Sequence, residues 1–213
     1  MSYTIRPART SDVPVIRKLV DANVESGRLL SKATVTLYED IQEFCIAEPA
    51  GNSELPGNAE LPGNSGPVGC GAVHVLWEDL AEIRTVAVHD DYRGHGIGHT
   101  IVEYLIARSR ELGVRRVFVL TFAVDFFASH GFMPIKGTPV AAEVYRELLR
   151  SYDEGVAEFL DLGRVKPNTL GNTRMLLHLL RDREECAYAL PTWRISQCRR
   201  RSRYGCEVSP VLR

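Results

Sequence analysis

No stretch of this 213-residue chain approaches the roughly 18 consecutive apolar residues that a membrane-crossing helix requires. The first 14 residues also lack the apolar centre of a secretory signal, so the expected compartment is the cytoplasm, without a membrane partner. Net charge is nearly absent: 26 Lys and Arg face 27 Asp and Glu, which gives no general attraction for nucleic acid. Cysteine is sparse and odd in number. Cys45, Cys70, Cys186, Cys198 and Cys206 form no C-x-x-C pair and no regular framework, which excludes a structural zinc module and a disulfide scaffold as readings. Cys45 and Cys70 lie in apolar runs and read as small core residues. The phosphate-loop pattern G-x-x-x-x-G-K-[ST] is missing, and Gly94, Gly96 and Gly98 do not meet the dinucleotide spacing G-x-G-x-x-G. What is present is ordinary for a folded domain: 45% apolar and 25% charged residues, enough to bury a core unaided.

Hydrophobic periodicity alternates between two and 3.6 along the chain, which predicts a mixed α/β fold with one central sheet flanked by helices. A short strand is expected over 3–6. Ser11-Asp12 opens a helix with Pro14 in its first turn and Val13, Ile16, Leu19 and Val20 on one face. Further expected elements are a helix over 35–41, strands over 43–47, 68–77 and 80–88, a helix over 97–113 and a strand over 117–120. Helices over 124–130 and 139–150 and a last strand over 174–179 complete the expectation. The Gly-Asn-rich near-repeat at 51–67 is too short for a solenoid unit and reads as a flexible insertion. The domain is thus placed at 1–180, and the arginine-rich 181–213 reads as a disordered tail.

The densest chemical signal is Thr85-Val86-Ala87-Val88, then a turn, then Arg93-Gly94-His95-Gly96-Ile97-Gly98 opening a helix. Alternating glycines let backbone N–H groups converge at a helix N-terminus, where the dipole favours a pyrophosphate. Arg93 can add charge-assisted contacts. His95 and His99 lie four apart but lack a third ligand, so no metal is expected.

These residues resemble the R/Q-x-x-G-x-G/A motif of the GNAT N-acetyltransferase superfamily. The resemblance implies acetyl-CoA as co-substrate, with Val86 and Val88 pairing with its pantetheine arm. It also implies that Arg93, Gly94, His95, Gly96, Ile97 and Gly98 hold the pyrophosphate. A closer likeness rests on Leu29-Leu30-Ser31-Lys32, Ala81-Glu82-Ile83-Arg84, Val117 to Thr121 and Phe126-Phe127 before His130-Gly131-Phe132. Together with Val165-Lys166-Pro167-Asn168 and Leu170-Gly171-Asn172-Thr173-Arg174-Met175, these are similar to the acetyltransferase domain of N-acetylglutamate synthases, in its stand-alone actinobacterial form.

That likeness implies a small-molecule acceptor, L-glutamate, with Glu82 as the base that deprotonates its ammonium group. Lys32, Arg84, Thr85, Asn168, Asn172 and Arg174 are the candidate substrate contacts. Many superfamily members place a tyrosine where Phe127 stands, and phenylalanine cannot protonate a leaving thiolate. Thr121 is the candidate for orienting the thioester or a water, with loss of CoA as thiolate the alternative. A homodimer is expected by family habit. Glutamine, another amino acid or a polyamine remain alternative acceptors, as does a non-catalytic acetyl-CoA sensor. Basic residues are expected around the acceptor pocket, against the acidic groove that a protein-acetylating enzyme would want.

Overall fold

A computed structural model of the chain describes residues 3–25, 29, 32–50, 66–162 and 172–179, all within the compact unit Met1–Leu179. The strands are β1 (Tyr3–Pro7), β2 (Phe44–Pro49), β3 (Gly69–Trp77), β4 (Leu80–Val88), β5 (Arg116–Thr121), β6 (Met133–Pro134) and β7 (Thr173–His178). The α-helices are α1 (Val13–Glu25), α2 (Thr34–Glu39), α3 (Ile97–Glu111), α4 (Val124–Ala128), α5 (Ala142–Leu148) and α6 (Glu154–Phe159). The strands form one sheet in the order β1-β2-β3-β4-β5-β7-β6. Every neighbouring pair is antiparallel except β4 and β5, which run parallel. The mixed α/β expectation holds.

Alternation along each strand sends side chains to two faces, and the helices cover both. On one face α3 packs with Ile97, Ile101 and Leu105 against Cys45, Val73, Ile83, Val117 and Val119. Gly71 permits this close approach, since a Cβ there would lie 2.7 Å from Ile101 Cγ2. On the other face α1 and α2 bury Val13, Ile16, Val20 and Leu37 against Ile46, Cys70 and Ala72. The C-terminal half of that sheet is covered by α5 and α6, through Leu148, Val156, Phe159 and Leu160 on Leu80, Phe118 and Leu176. Cys45 and Cys70 are fully buried free thiols, as expected for core residues; burial pushes the Cys45 thiol up to about 12.

Several boundaries differ from the sequence reading for local reasons. The first helix starts as a 3₁₀ turn, Thr10–Asp12, and the Asp12 carboxylate accepts from the Arg9 N–H at 2.7 Å and from the Arg6 guanidinium at 2.9 Å. The expected second helix stops at Glu39, and Ile41–Glu43 forms a 3₁₀ turn instead. Two elements were not expected. The strand β6 has only two residues, too short for alternation to register. The helix α6 carries Val156, Phe159 and Leu160 at helical spacing, a signal present but brief.

Candidate active site

Strand β4 is irregular where it matters. Its pairing with β3 slips between Cys70 and Ala72, opposite Thr85 and Val86, and Thr85 takes a left-handed φ of 59°. A bulge of this kind bends the strand and increases its twist. Its neighbour on the other side is lost: β4 pairs with β5 only from Leu80 to Glu82, against Arg116 to Phe118. Beyond Glu82 the two strands part, one arm running to Val88 and the other to Thr121. The result is a wedge whose facing backbone groups are unclaimed by the sheet, with Glu82 at its vertex. Val86 and Val88 lie half-buried on the β4 arm.

The β4 arm leads through a 3₁₀ turn, Asp90–Tyr92, into the glycine loop. Gly94 (φ 78°) and Gly96 (φ 79°) hold the left-handed conformation that other residues adopt only with strain. Open space surrounds both, so nothing but backbone borders the loop at these points. Gly96 caps α3, whose first-turn amides at Ile97, Gly98 and His99 have no intrahelical acceptor. The Arg93 guanidinium turns away toward α1 instead, donating to Asn23 Oδ1 at 2.9 Å and lying 2.8 Å from Asp90. The exposed His95 ring meets the carbonyl of Arg93. Phe126 of α4 sits over Gly98, 3.4 Å from where a Cβ would be, and closes the outer side of the loop. Among the described residues no cluster of three or more metal-binding side chains occurs.

At the vertex, Glu82 is only 4% exposed. Its Oε2 is buried without a hydrogen-bond donor among the described residues; the nearest cation, Arg84 Nη1, stands 3.9 Å away. Burial pushes the carboxyl up to about 7, with Arg84 opposing and the charges of Glu158 and Asp153 adding to the rise. Arg84 itself is held by protein acids. It donates to Asp153 at 2.9 Å, to Glu43 at 3.0 Å and to Asp40 at 3.3 Å. His74, the Cα partner of Glu82 on β3, bonds Glu43 at 2.5 Å and lies 3.6 Å from Asp153. The hydrogen bond to Glu43 raises its proton affinity. Burial is the largest influence on Asp153 and raises it, but the hydrogen bond and charge of Arg84, the Val156 N–H and the charge of His74 together outweigh it and hold this carboxyl below the usual range.

The other sequence-derived candidates divide. Thr121 ends the β5 arm, buried, with its Oγ1 accepting from the Ala123 N–H at 2.9 Å, which leaves the hydroxyl hydrogen free to donate. Asn172 and Arg174 flank it, because β7 pairs Thr173 with Thr121 and Arg174 with Leu120. Arg174, however, donates to the Phe159 carbonyl at 3.0 Å and to Asp161 at 3.3 Å, so it fastens α6. Lys32 is half-buried, and its charge acts on Glu158 of α6. Thr85 is buried at the bulge. Asn168 and Lys166, residues 51–65 of the insertion and the tail at 181–213 lie outside the described residues. The expected basic surroundings need correction: around Arg84 the described residues supply Asp40, Glu43, Glu82 and Asp153, a surplus of carboxylates. A separate open cavity of about 530 Å³ on the α3 side of β3 shares Glu43 and His74 with this network but contains neither Glu82 nor the wedge.

The model of the acetyltransferase (GNAT) family matches residues 28–132, which span β2 to β5 and the glycine loop. An amino-acid acetyltransferase of Mycobacterium tuberculosis is 58% identical over 176 residues, 82% of this chain and 94% of that protein. This chain belongs to the GNAT acetyltransferase family. Among solved structures, Rv2747 of Mycobacterium tuberculosis in complex with CoA and NLQ is 57% identical, with a TM-score of 0.71 over 83% of this chain and 99% of that one. The N-acetylglutamate synthase of Neisseria gonorrhoeae, complexed with coenzyme A and N-acetyl-glutamate, shares the fold at 22% identity. Its TM-score is 0.62, over 85% of this chain and 36% of that one.

In this GNAT acetyltransferase the residues missed by sequence reasoning all come from outside β4: Asp40, Glu43, His74, Asp153, Gly155 and Glu158. A detectable signal existed for one of them. Asp153 precedes Val156, Phe159 and Leu160 as a capping residue should, and its Oδ1 accepts from the Val156 N–H at 3.0 Å.

Proposed function

We propose that this chain transfers acetyl from acetyl-CoA to the α-amino group of L-glutamate, as an N-acetylglutamate synthase opening arginine biosynthesis. The observation that carries the reading is Glu82 Oε2, a buried acceptor without a donor among the described residues, placed where β4 and β5 part. A carboxylate so placed has a strong interest in an incoming N–H. With its affinity raised to about 7, it can take a proton from an ammonium group near neutrality.

The donor fits the rest of the site. The wedge offers unpaired strand edges to an extended, amide-bearing arm, and the loop from Arg93 to Gly98 offers backbone N–H groups to a pyrophosphate without intruding side chains. The deprotonated amine adds to the acetyl carbonyl carbon, the C–N bond forms, the nitrogen gives up its second proton to water, and the C–S bond breaks with its electron pair on sulfur. Backbone groups near Val86 polarise the carbonyl. Thr121 orients the thioester or a water from the opposite arm, and CoA leaves as thiolate or protonated by solvent. Acceptor carboxylates fall to Lys32, Asn172 and Asn168, while Arg84 and Arg174 order the acids around them.

One observation favours a second reading. Both described arginines beside the site are already paired with protein carboxylates, which leaves less positive charge for a second acceptor carboxylate. An amino acid with a neutral side chain, glutamine above all, suits that balance. CoA release by the purified protein, with L-glutamate, L-glutamine, L-leucine and a polyamine compared side by side, decides. Higher kcat/KM for glutamate than for every other amine is expected. A preference for glutamine would install the second reading, and silence with all amines despite acetyl-CoA binding would point to a sensor. The same proposal includes the cytoplasm as compartment and a homodimer as assembly, the latter read by light scattering.

A further inference from the structure

Gly155 has no local reason to be glycine. It lies within α6, its φ is not among the positive ones, and a helical glycine is destabilising relative to alanine. The reason lies 73 positions away in sequence, on β4. A Cβ on Gly155 would stand 1.9 Å from Glu82 Oε2 and 2.8 Å from Glu82 Cδ, contacts that atoms cannot make. The next neighbour, Asp153 Oδ1, would be 3.1 Å away, tight but tolerable with a small shift. The bare Cα of α6 is therefore the wall against which the Glu82 carboxylate rests.

We propose that Gly155 is a positioning residue for the base: by presenting backbone alone, α6 takes Glu82 Oε2 against its Cα and so seats the carboxylate at the β4–β5 parting. This rests on the reading of Glu82 as base. The helix is well anchored for the task. Asp153 caps it and ties it to Arg84, Arg174 clasps its last carbonyl-bearing turn, and Val156 and Phe159 are buried against Leu80 and Phe118. The charged and titratable groups facing Glu82 are Arg84 on its own strand, His74 on β3, and Asp153 and Glu158 from α6. Moving the carboxylate out of this setting changes both its place and its proton affinity.

Gly155→Ala tests the proposal by kinetics and by stability. In the wild-type background it should lower kcat by about 100-fold, as a misplacement of about 1 Å does, while acetyl-CoA binding stays unchanged. The acid limb of the pH–rate profile should move to lower pH, because a displaced carboxylate regains water. Thermal melts supply a readout independent of turnover. Gly155→Ala should destabilise the wild type yet stabilise Glu82→Ala, where the methyl finds the vacated space and the helix gains a better former. Equal destabilisation in both backgrounds would overturn the proposal, as would wild-type kcat with an unmoved acid limb. Glu82→Gln, assayed alongside, separates the two layers. If it retains turnover, the reading of Glu82 as base fails, while the reversal of sign in the melts would still show what Gly155 accommodates.

Discussion

Glu82 combines two properties that conflict in an ordinary core, ionisability and nearly complete burial without a hydrogen-bond donor among the described residues. Such a group persists where it is used. Replacement by glutamine keeps the shape and removes the base, so kcat should fall by about 100- to 10,000-fold, with the KM for acetyl-CoA little changed. The pH dependence of kcat/KM should show an acid limb centred near 7, the value to which burial raises this carboxyl, and the residual activity of Glu82→Gln should lack it. The likeness to N-acetylglutamate synthases made Glu82 a candidate, on the strand that leads to Thr85-Val86-Ala87-Val88, and alternation put Arg84 on the same face. The sequence held no sign of the burial. That comes from α6, which sets Gly155 against the carboxylate, and no periodicity within β4 reports on a helix 70-odd positions later.

At the scale of elements, the site is made by three local features: the end of β4–β5 pairing at Glu82, the bulge at Thr85 beyond it, and the short helix laid over the vertex. Asp153 connects them, capping α6 while holding Arg84. Asp153→Ala should cost about 1 kcal/mol for the lost cap and more for the loosened arginine, measured by urea unfolding with an unchanged slope. Asp153→Asn should recover the cap but not the ion pair, and fall between the two. The glycine loop was fully legible, since glycines that must take positive φ before an amphipathic helix are written in plain residues. The wedge was not. Parallel pairing of β4 with β5, and its early end, depend on contacts between strands that are separated by all of α3. The acidic surroundings of Arg84 were misjudged for the same reason: Asp40, Glu43 and Asp153 arrive from three separate segments.

Across the molecule, a core of three clusters on the two faces of one sheet carries the stability, and the active site draws on it. Glu82 has a raised proton affinity in the folded chain and an ordinary one, near 4.5, when unfolded. Between those values the folded form binds more protons, so its contribution is complete below pH 4.5 and is lost as pH rises through about 7. The loss amounts to about 3 kcal/mol, and Glu82→Gln should flatten this part of the stability curve in chemical denaturation. Asp12 and Asp153, both held below the usual range, act in the opposite sense at lower pH. Fold and glycine loop could thus be read from sequence, while the charge balance around Arg84 required the assembled chain. The most direct measurement of the whole account is CoA release from acetyl-CoA and L-glutamate by wild type and Glu82→Gln, followed from about pH 5 to about pH 9. Turnover that rises through pH 7 in the wild type and collapses in the variant is the predicted result; a variant that turns over like the wild type across that range would contradict it.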